Sequence, residues 1–235
     1  MGRKKALVTG GTRGIGAATA RALLESGHEV VVSGKSSGGQ APEGCEYLSS
    51  DFSNSSQLGA FAARIAGMDF AVLVNNAGIN KIGPLAEYDP ADFGRIQQIN
   101  VWAPFMLCRA VVPGMRKKRF GRIVNITSIW GVVSKAGRSA YSASKFGLFG
   151  LSRALALEVA ADNILVNCVA PGVVDTELTR GVLGEKAIAE LLDRVPLGRM
   201  AQPDEIARYV RFLASEENTY MTGQNIIVDG GFTCG

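Results

Sequence analysis

The sequence predicts an α/β fold in which helices surround a parallel sheet. Three observations carry that prediction. Short runs rich in Val and Ile alternate with longer segments of helical period, the first run ends in a glycine-rich turn, and no linker or repeat breaks the rhythm. The chain of 235 residues is long enough for one large domain, spanning 1–235, whose folding removes roughly 70% of the extended-chain surface. A content of 47% hydrophobic and 20% charged residues excludes a disordered, collagen-like or coiled-coil chain.

The predicted strands are Lys5–Thr9, Glu29–Ser33, Cys45–Ser49, Phe70–Asn75, Gly121–Ile126, Leu165–Val169 and Asn225–Val228. Helical patterns fall at Gly14–Ser26, Ser55–Ala66, Ala91–Lys117, Ser139–Ala160, Glu185–Arg194 and Pro203–Ser215. The second and third strands are joined by Gly34–Gly44, where Gly, Ser and Pro predict a loop with at most one helical turn in place of a crossover helix. The helix Tyr141–Ala160 is apolar around most of its circumference, so its outer side needs cover. A homo-oligomer supplies that cover; burial beneath the segments that follow is the alternative.

The formal charge of +4 is too small for a general nucleic-acid or membrane surface, and the basic residues are not interleaved with aromatics. No apolar run approaches the ~20 residues of a membrane span, and no signal-peptide core follows the basic N-terminus, so a cytoplasmic protein is expected. Cys45, Cys108, Cys168 and Cys234 lie far apart beside a single histidine, His28, a pattern that predicts neither disulfides nor a metal site. His28 stands before the second strand, where a turn or cap role is expected.

At the end of the first strand, Thr9-Gly10-Gly11-Thr12-Arg13-Gly14-Ile15-Gly16 leads into a helix. Glycine there removes the Cβ atoms that would keep a pyrophosphate from the helix N-terminus, which makes this a candidate dinucleotide site; tight strand-to-helix packing is the other reading. Where NAD-binding βαβ units place an acid for the adenosine ribose, this chain has Gly34, followed by Lys35. With Arg13 in the turn, two cations can meet a 2′-phosphate, so NADP(H) is favoured and NAD(H) is the alternative.

Tyr141 and Lys145 are four residues apart on a predicted helix and project from one face. An ammonium beside a phenol favours phenolate, which is expected to lower the Tyr141 pKa toward the range of a working proton donor. Ser128 follows the strand Gly121–Ile126, at the strand end where such sheets open to a ligand; taken alone it reads equally as a cap.

With TGGTRGIG, Asp51, NNAG at Asn75–Gly78, Asn100 in QQINV, Ser128, YSASK, PGVVDT at Pro171–Thr176 and DGG at Asp229–Gly231, the chain resembles the short-chain dehydrogenases/reductases over nearly its whole length. The resemblance implies a Rossmann-type, doubly wound, single-domain fold with a parallel sheet of about seven strands, usually assembled as a tetramer. It also implies a catalytic tetrad of Asn100, Ser128, Tyr141 and Lys145. Tyr141 would give a proton to the substrate carbonyl and Ser128 would hold that oxygen. Lys145 would bind the nicotinamide ribose, and Asn100, at a helix bend, would hold a water that restores the proton. Cofactor contacts are implied for Gly10, Thr12, Arg13, Gly14, Ile15, Gly16, Lys35, Asp51, Phe52, Asn76, Ala77, Gly78, Tyr141, Lys145, Pro171, Gly172, Val174 and Thr176.

Within the family the chain is most similar to 3-oxoacyl-acyl-carrier-protein reductases, which reduce a β-keto thioester. The basic stretch Met115–Arg122 could meet an acidic carrier protein, or be a solvated helix end. Asp162 stands where the carrier-type pattern has Arg, and a carboxylate there is expected to repel a carrier. Together with the segment after NNAG and the short Gly34–Gly44 connection, it makes a reductase of sugar, polyol or other small ketones the alternative. A non-catalytic cofactor-binding scaffold is the rival from another class, disfavoured by the intact tetrad. The segment 176–203 reads as a substrate lid or as a helix covering the sheet edge. Trp102 and Trp130 adjoin Asn100 and Ser128, so one of them could touch substrate; core or interface packing is the alternative.

Overall fold

Strands covered on both faces must be apolar throughout, and that is how the central strands read. The computed structural model describes residues 3–234, so the expected bounds reach beyond the described residues at Met1, Gly2 and Gly235. Its strands are β1 (Lys5–Thr9), β2 (Glu29–Gly34), β3 (Glu46–Ser49), β4 (Val72–Asn75), β5 (Gly121–Ile126), β6 (Ile164–Pro171) and β7 (Asn225–Val228). All pair in parallel in the order β3-β2-β1-β4-β5-β6-β7. The order reverses between β1 and β4, and a doubly wound sheet opens a crevice for a ligand at that point.

The helices are α1 (Gly14–Glu25), α2 (Ser55–Ala66), α3 (Pro90–Gln97), α4 (Ala103–Lys118), α5 (Ser139–Val159), α6 (Glu177–Val182), α7 (Glu185–Leu192) and α8 (Pro203–Ala214). Alternation along β1 sends Ala6 and Val8 into one layer and Leu7 into the other. On the first side they meet Ala20 and Leu23 of α1 with Ile206, Val210 and Leu213 of α8. On the second, Leu7 joins Leu58, Phe61 and Ile65 of α2, Leu107 and Met115 of α4, and Val159 of α5. Each such side chain withdrawn from water contributes about 1.5–3 kcal/mol, which holds the two helical layers to the sheet.

Three local outcomes differ from or sharpen the sequence reading. The helix expected over Ala91–Lys117 starts at Pro90 and is interrupted by a π turn at Gln98–Trp102. Pro104 lies just beyond the turn and has no N–H to offer the Asn100 carbonyl four residues earlier, so a regular α-helix cannot run through. A short helix, α6, forms within 176–203, where only Glu185–Arg194 had a clear helical pattern. The β2–β3 connection holds turns and no helix, as expected. It wraps Tyr47, whose hydroxyl donates to the Ser36 carbonyl.

The outer side of α5 is not covered by the following segments among the described residues: Phe146 and Leu157 stay exposed, Leu157 at 85%. Nearby in sequence to the π turn, Trp102 and Phe105 stack on one another at 5.2 Å and are exposed as well. No helix among the described residues is long and apolar enough to cross a membrane.

Candidate active site

The site forms where β5 ends and α5 begins. Lys145 is buried, and its Nζ donates to the Ile126 carbonyl, the last of β5, at 2.8 Å. The short 3₁₀ turn Ile129–Gly131 packs so closely on α5 that a Cβ on Gly131 would lie 3.0 Å from the Lys145 backbone. Loss of water holds the Lys145 ammonium down to about 8. Ser128 is both a cap and a site residue: its Oγ accepts the Trp130 N–H at 3.2 Å and lies beside the Tyr141 phenol.

Tyr141 lies one helical turn before Lys145, whose Nζ is 5.5 Å from the phenol ring centre. Burial pushes the phenol up, while the Ser128 hydroxyl and the Arg138 guanidinium draw it back. The expected depression by Lys145 is therefore not found. Desolvation outweighs the nearby charge, and the ammonium is spent on the Ile126 carbonyl.

Asn100 is buried inside the π turn. Its Oδ1 accepts the Ile79 N–H and its Nδ2 donates to the Ile79 carbonyl and to Ser144 Oγ, all at 3.0 Å. Ser144 in turn donates to the Tyr141 carbonyl at 2.7 Å. The Asn100 side chain thus ties the loop after β4 to the turn bearing Tyr141. Pro104 cannot supply the N–H that the Asn100 main-chain carbonyl would accept in a regular α-helix.

A cleft of about 320 Å³ adjoins this group, lined among others by Gly10, Thr12, Arg13, Gly14, Ile15, Lys35, Asp51, Phe52, Asn76, Ala77, Gly78 and Thr176. The two meet at Gly78, where an added Cβ would lie 3.3 Å from Asn100 Oδ1 and 3.7 Å from Lys145 Nζ. Gly16 supports the cleft from behind, since a Cβ there would fall 2.2 Å from the Gly10 carbonyl oxygen. Thr9 Oγ1 accepts the Asn76 and Ala77 N–H groups at 3.0 Å, and Asn76 Nδ2 donates back to the Thr9 and Gly10 carbonyls. Pro171, Gly172 and Val174 do not line the cleft: Gly172 is pressed against Asp229, and Val174 bridges to Ala201.

The cleft fits a dinucleotide. No side chain caps the first turn of α1, so its free N–H groups and the positive end of the helix face the glycine turn. An acid could not replace Gly34 without displacing its neighbours, because a Cβ there would sit 2.7 Å from Tyr47 Oη and 3.1 Å from Thr12 Cγ2. Lys35 and Arg13 stand exposed on the rim, Lys35 paired with the half-buried Asp51 at 3.1 Å and Arg13 with the exposed Glu177 at 2.5 Å. Exposed pairs of this kind contribute about 0–1 kcal/mol, so a phosphate can displace them.

Residues 10–233 match the family described as enoyl-(acyl carrier protein) reductase, and the chain belongs to the short-chain dehydrogenase/reductase family of oxidoreductases, which act on CH–OH and C=O groups. Among its relatives is the 3-oxoacyl-[acyl-carrier-protein] reductase of Vibrio cholerae, 40% identical over 97% of this chain and 96% of the relative. Nodulation protein G of a Rhizobium species is 38% identical over 97% and 96%. A solved gluconate 5-dehydrogenase from Burkholderia cenocepacia, in complex with NADP and tartrate, superposes with a TM-score of 0.90 at 29% identity, covering all of this chain and 97% of that one.

Two side chains of this region escaped the sequence reading. Ser144 lies inside YSASK, where its spacing places it one turn from Tyr141 and its hydroxyl links Asn100 to the Tyr141 carbonyl. Arg138, three residues before Tyr141, is buried with its guanidinium 5.2 Å from the Trp130 ring. Of the two tryptophans, Trp130 packs edge-on against Phe232 in the cluster that includes Tyr141, whereas Trp102 faces outward. His28 has the expected turn role, with Nδ1 3.2 Å from the Leu23 carbonyl.

The buried ammonium has a measurable cost. Between about pH 8 and the ordinary lysine value near 10.5 the unfolded chain holds a proton that the folded Lys145 has released, so this group adds stability as pH rises through that window. In urea unfolding, Lys145→Met is expected to be more stable than the parent at pH 7, with an advantage that shrinks from pH 8 to 10. An advantage independent of pH would contradict the assignment.

Proposed function

We propose that the protein is an NADP(H)-dependent carbonyl reductase that forms a secondary alcohol from a small ketone, with Tyr141 as proton donor. The observation that carries this reading is the gathering of Asn100, Ser128, Tyr141 and Lys145 at the Gly78 end of the dinucleotide cleft. The bound cofactor would supply or accept the hydride. Tyr141, kept protonated by its surroundings, gives its proton to the oxygen that becomes negative. Ser128 donates a hydrogen bond to that oxygen. Lys145, which titrates near neutrality, returns a proton toward Tyr141 and holds ribose hydroxyls. Water on the Asn100 carbonyl connects Lys145 to solvent.

On this reading the segment 176–203 is the lid. Its Leu183, Leu191, Leu192 and Val195 pack with Trp130 and Tyr141, so displacing it uncovers the phenol. The exposed face of α5 supports assembly into a homo-oligomer, taken as a tetramer.

The second reading is a 3-oxoacyl thioester reductase, favoured by the 40% identity to the Vibrio cholerae enzyme. In the basic stretch Met115–Arg122 the structure gives Asp162 a role other than the repulsion expected of it. That carboxylate accepts Arg116 at 3.0 Å and Arg119 at 2.9 Å, so it occupies the cations in place of repelling a partner. Lys118 is on Asp69, and Arg122 is buried on main-chain carbonyls, which leaves Lys117 as the one free cation of the stretch among the described residues.

NADPH oxidation measured with a β-keto thioester and, separately, with a panel of small ketones separates the two readings. Tyr141→Phe is expected to lose turnover by at least about 1,000-fold while binding NADPH normally, and a variant that kept its rate would remove Tyr141 from the mechanism. Replacing Arg13 and Lys35 together by Ala is expected to weaken NADPH by about 10-fold or more with little change for NADH; equal losses would refute the 2′-phosphate assignment. Light scattering is expected to report a multiple of the chain mass, reduced by Leu157→Glu, and a stable monomer would refute the assembly.

A further inference from the structure

Two arginines are almost wholly buried, Arg122 at 3% exposure and Arg138 at 4%. Their surroundings differ in one decisive respect. Arg122 donates through Nε to the Ser215 carbonyl, through Nη1 to those of Gly121 and Asn163, and through Nη2 to that of Asn218. Arg138 has no hydrogen-bond acceptor and no carboxylate for its guanidinium among the described residues, only the face of Trp130 at 5.2 Å. A cation–π contact contributes about 0.5–2 kcal/mol, well short of what removing a guanidinium from water costs. No Arg138 nitrogen is both sealed from solvent and without a partner, so the guanidinium keeps a narrow opening through which an acceptor can reach its five N–H donors.

The position of this unanswered cation gives it meaning. Arg138 caps α5 three residues before Tyr141, and its carbonyl accepts the Ser142 N–H at 2.8 Å, so the guanidinium is fixed on the turn that bears the phenol. Trp130, on which it lies, belongs to the same apolar cluster as Tyr141, beneath Leu191 and Val195. The neighbouring Gly137 carbonyl accepts the Gly83 N–H at 3.1 Å, which fastens the loop after β4 to the same corner. The charge is felt at the phenol, whose pKa it lowers against the effect of burial.

Resting on the reductase reading above, we propose that Arg138 anchors a carboxylate of the substrate, so that the site acts on a keto acid or hydroxy acid and not on an uncharged ketone. A planar guanidinium takes a carboxylate through two parallel N–H···O bonds, and this fixes which carbonyl of the acid meets Tyr141. The indole beside it and the burial of most of the side chain limit the water that would otherwise weaken the pair.

The test compares each acid with an uncharged partner: acetoacetate with its ethyl ester, and a keto-sugar acid with the corresponding keto-sugar, using NADPH and the full chain. An acid is expected to exceed its partner by about 100-fold in kcat/KM, and Arg138→Gln is expected to remove that preference mainly through KM. Equal use of both partners by the parent would overturn the proposal. So would an Arg138→Gln variant that slows both partners equally through kcat, which would make Arg138 a positioning residue for Tyr141. Binding is read apart from turnover by the thermal shift that malonate produces in the parent at constant ionic strength. A shift that Arg138→Gln abolishes, with no ketone reduced, would sustain the anion site and refute the reductase reading. Reduction of uncharged ketones with no malonate shift would do the reverse.

Discussion

The arrangement depends on one buried contact, the Lys145 ammonium on the Ile126 carbonyl. It joins the helix that carries the phenol to the strand end that carries Ser128, and both partners are closed to water. Burying an ammonium is unfavourable by several kcal/mol unless an acceptor is placed for it, so the contact is satisfied only in a narrow register of α5 against β5. Gly131 is the complement of that requirement, because any side chain there would push the two elements apart. The same desolvation that is costly for folding brings the lysine to about 8, where it can both lose and regain a proton near neutrality.

Around that contact the remaining groups are placed by backbone interruptions. Pro104 ends regular hydrogen bonding at the π turn, which lets Asn100 turn inward to clamp Ile79. Arg119 and Asn163 adopt left-handed backbone beside Asp162, where the main-chain Arg119 carbonyl accepts the Asn163 amide at 3.0 Å. The basic stretch is consequently folded onto its own carboxylate.

Much of this was legible from sequence because it follows from periodicity and from glycine. The strands repeat as apolar runs, the glycines of TGGTRGIG mark a strand-to-helix turn, and the family resemblance joins that turn to YSASK in one site. What stayed hidden depends on competition between groups that spacing cannot rank. The direction of the Tyr141 shift is one case: adjacency of Tyr141 and Lys145 was legible, but whether desolvation or charge dominates is set by burial that no pattern reports. The reach of the cleft is another, for PGVVDT reads as one motif while only its Thr176 reaches the lining.

Arg138 and Arg122 show the same limit in its sharpest form. In sequence each is a lone basic residue beside an apolar run, Arg138 before a helix and Arg122 in a strand. Folding buries both, and only the acceptors brought from distant segments separate them: Ser215 and Asn218 reach Arg122 from beyond α8, while no such segment reaches Arg138. A domain of this size can supply carbonyls to a buried guanidinium, and it does so once. It leaves the second without a protein acceptor, on the turn that bears Tyr141, and that difference is what the proposed carboxylate anchor answers.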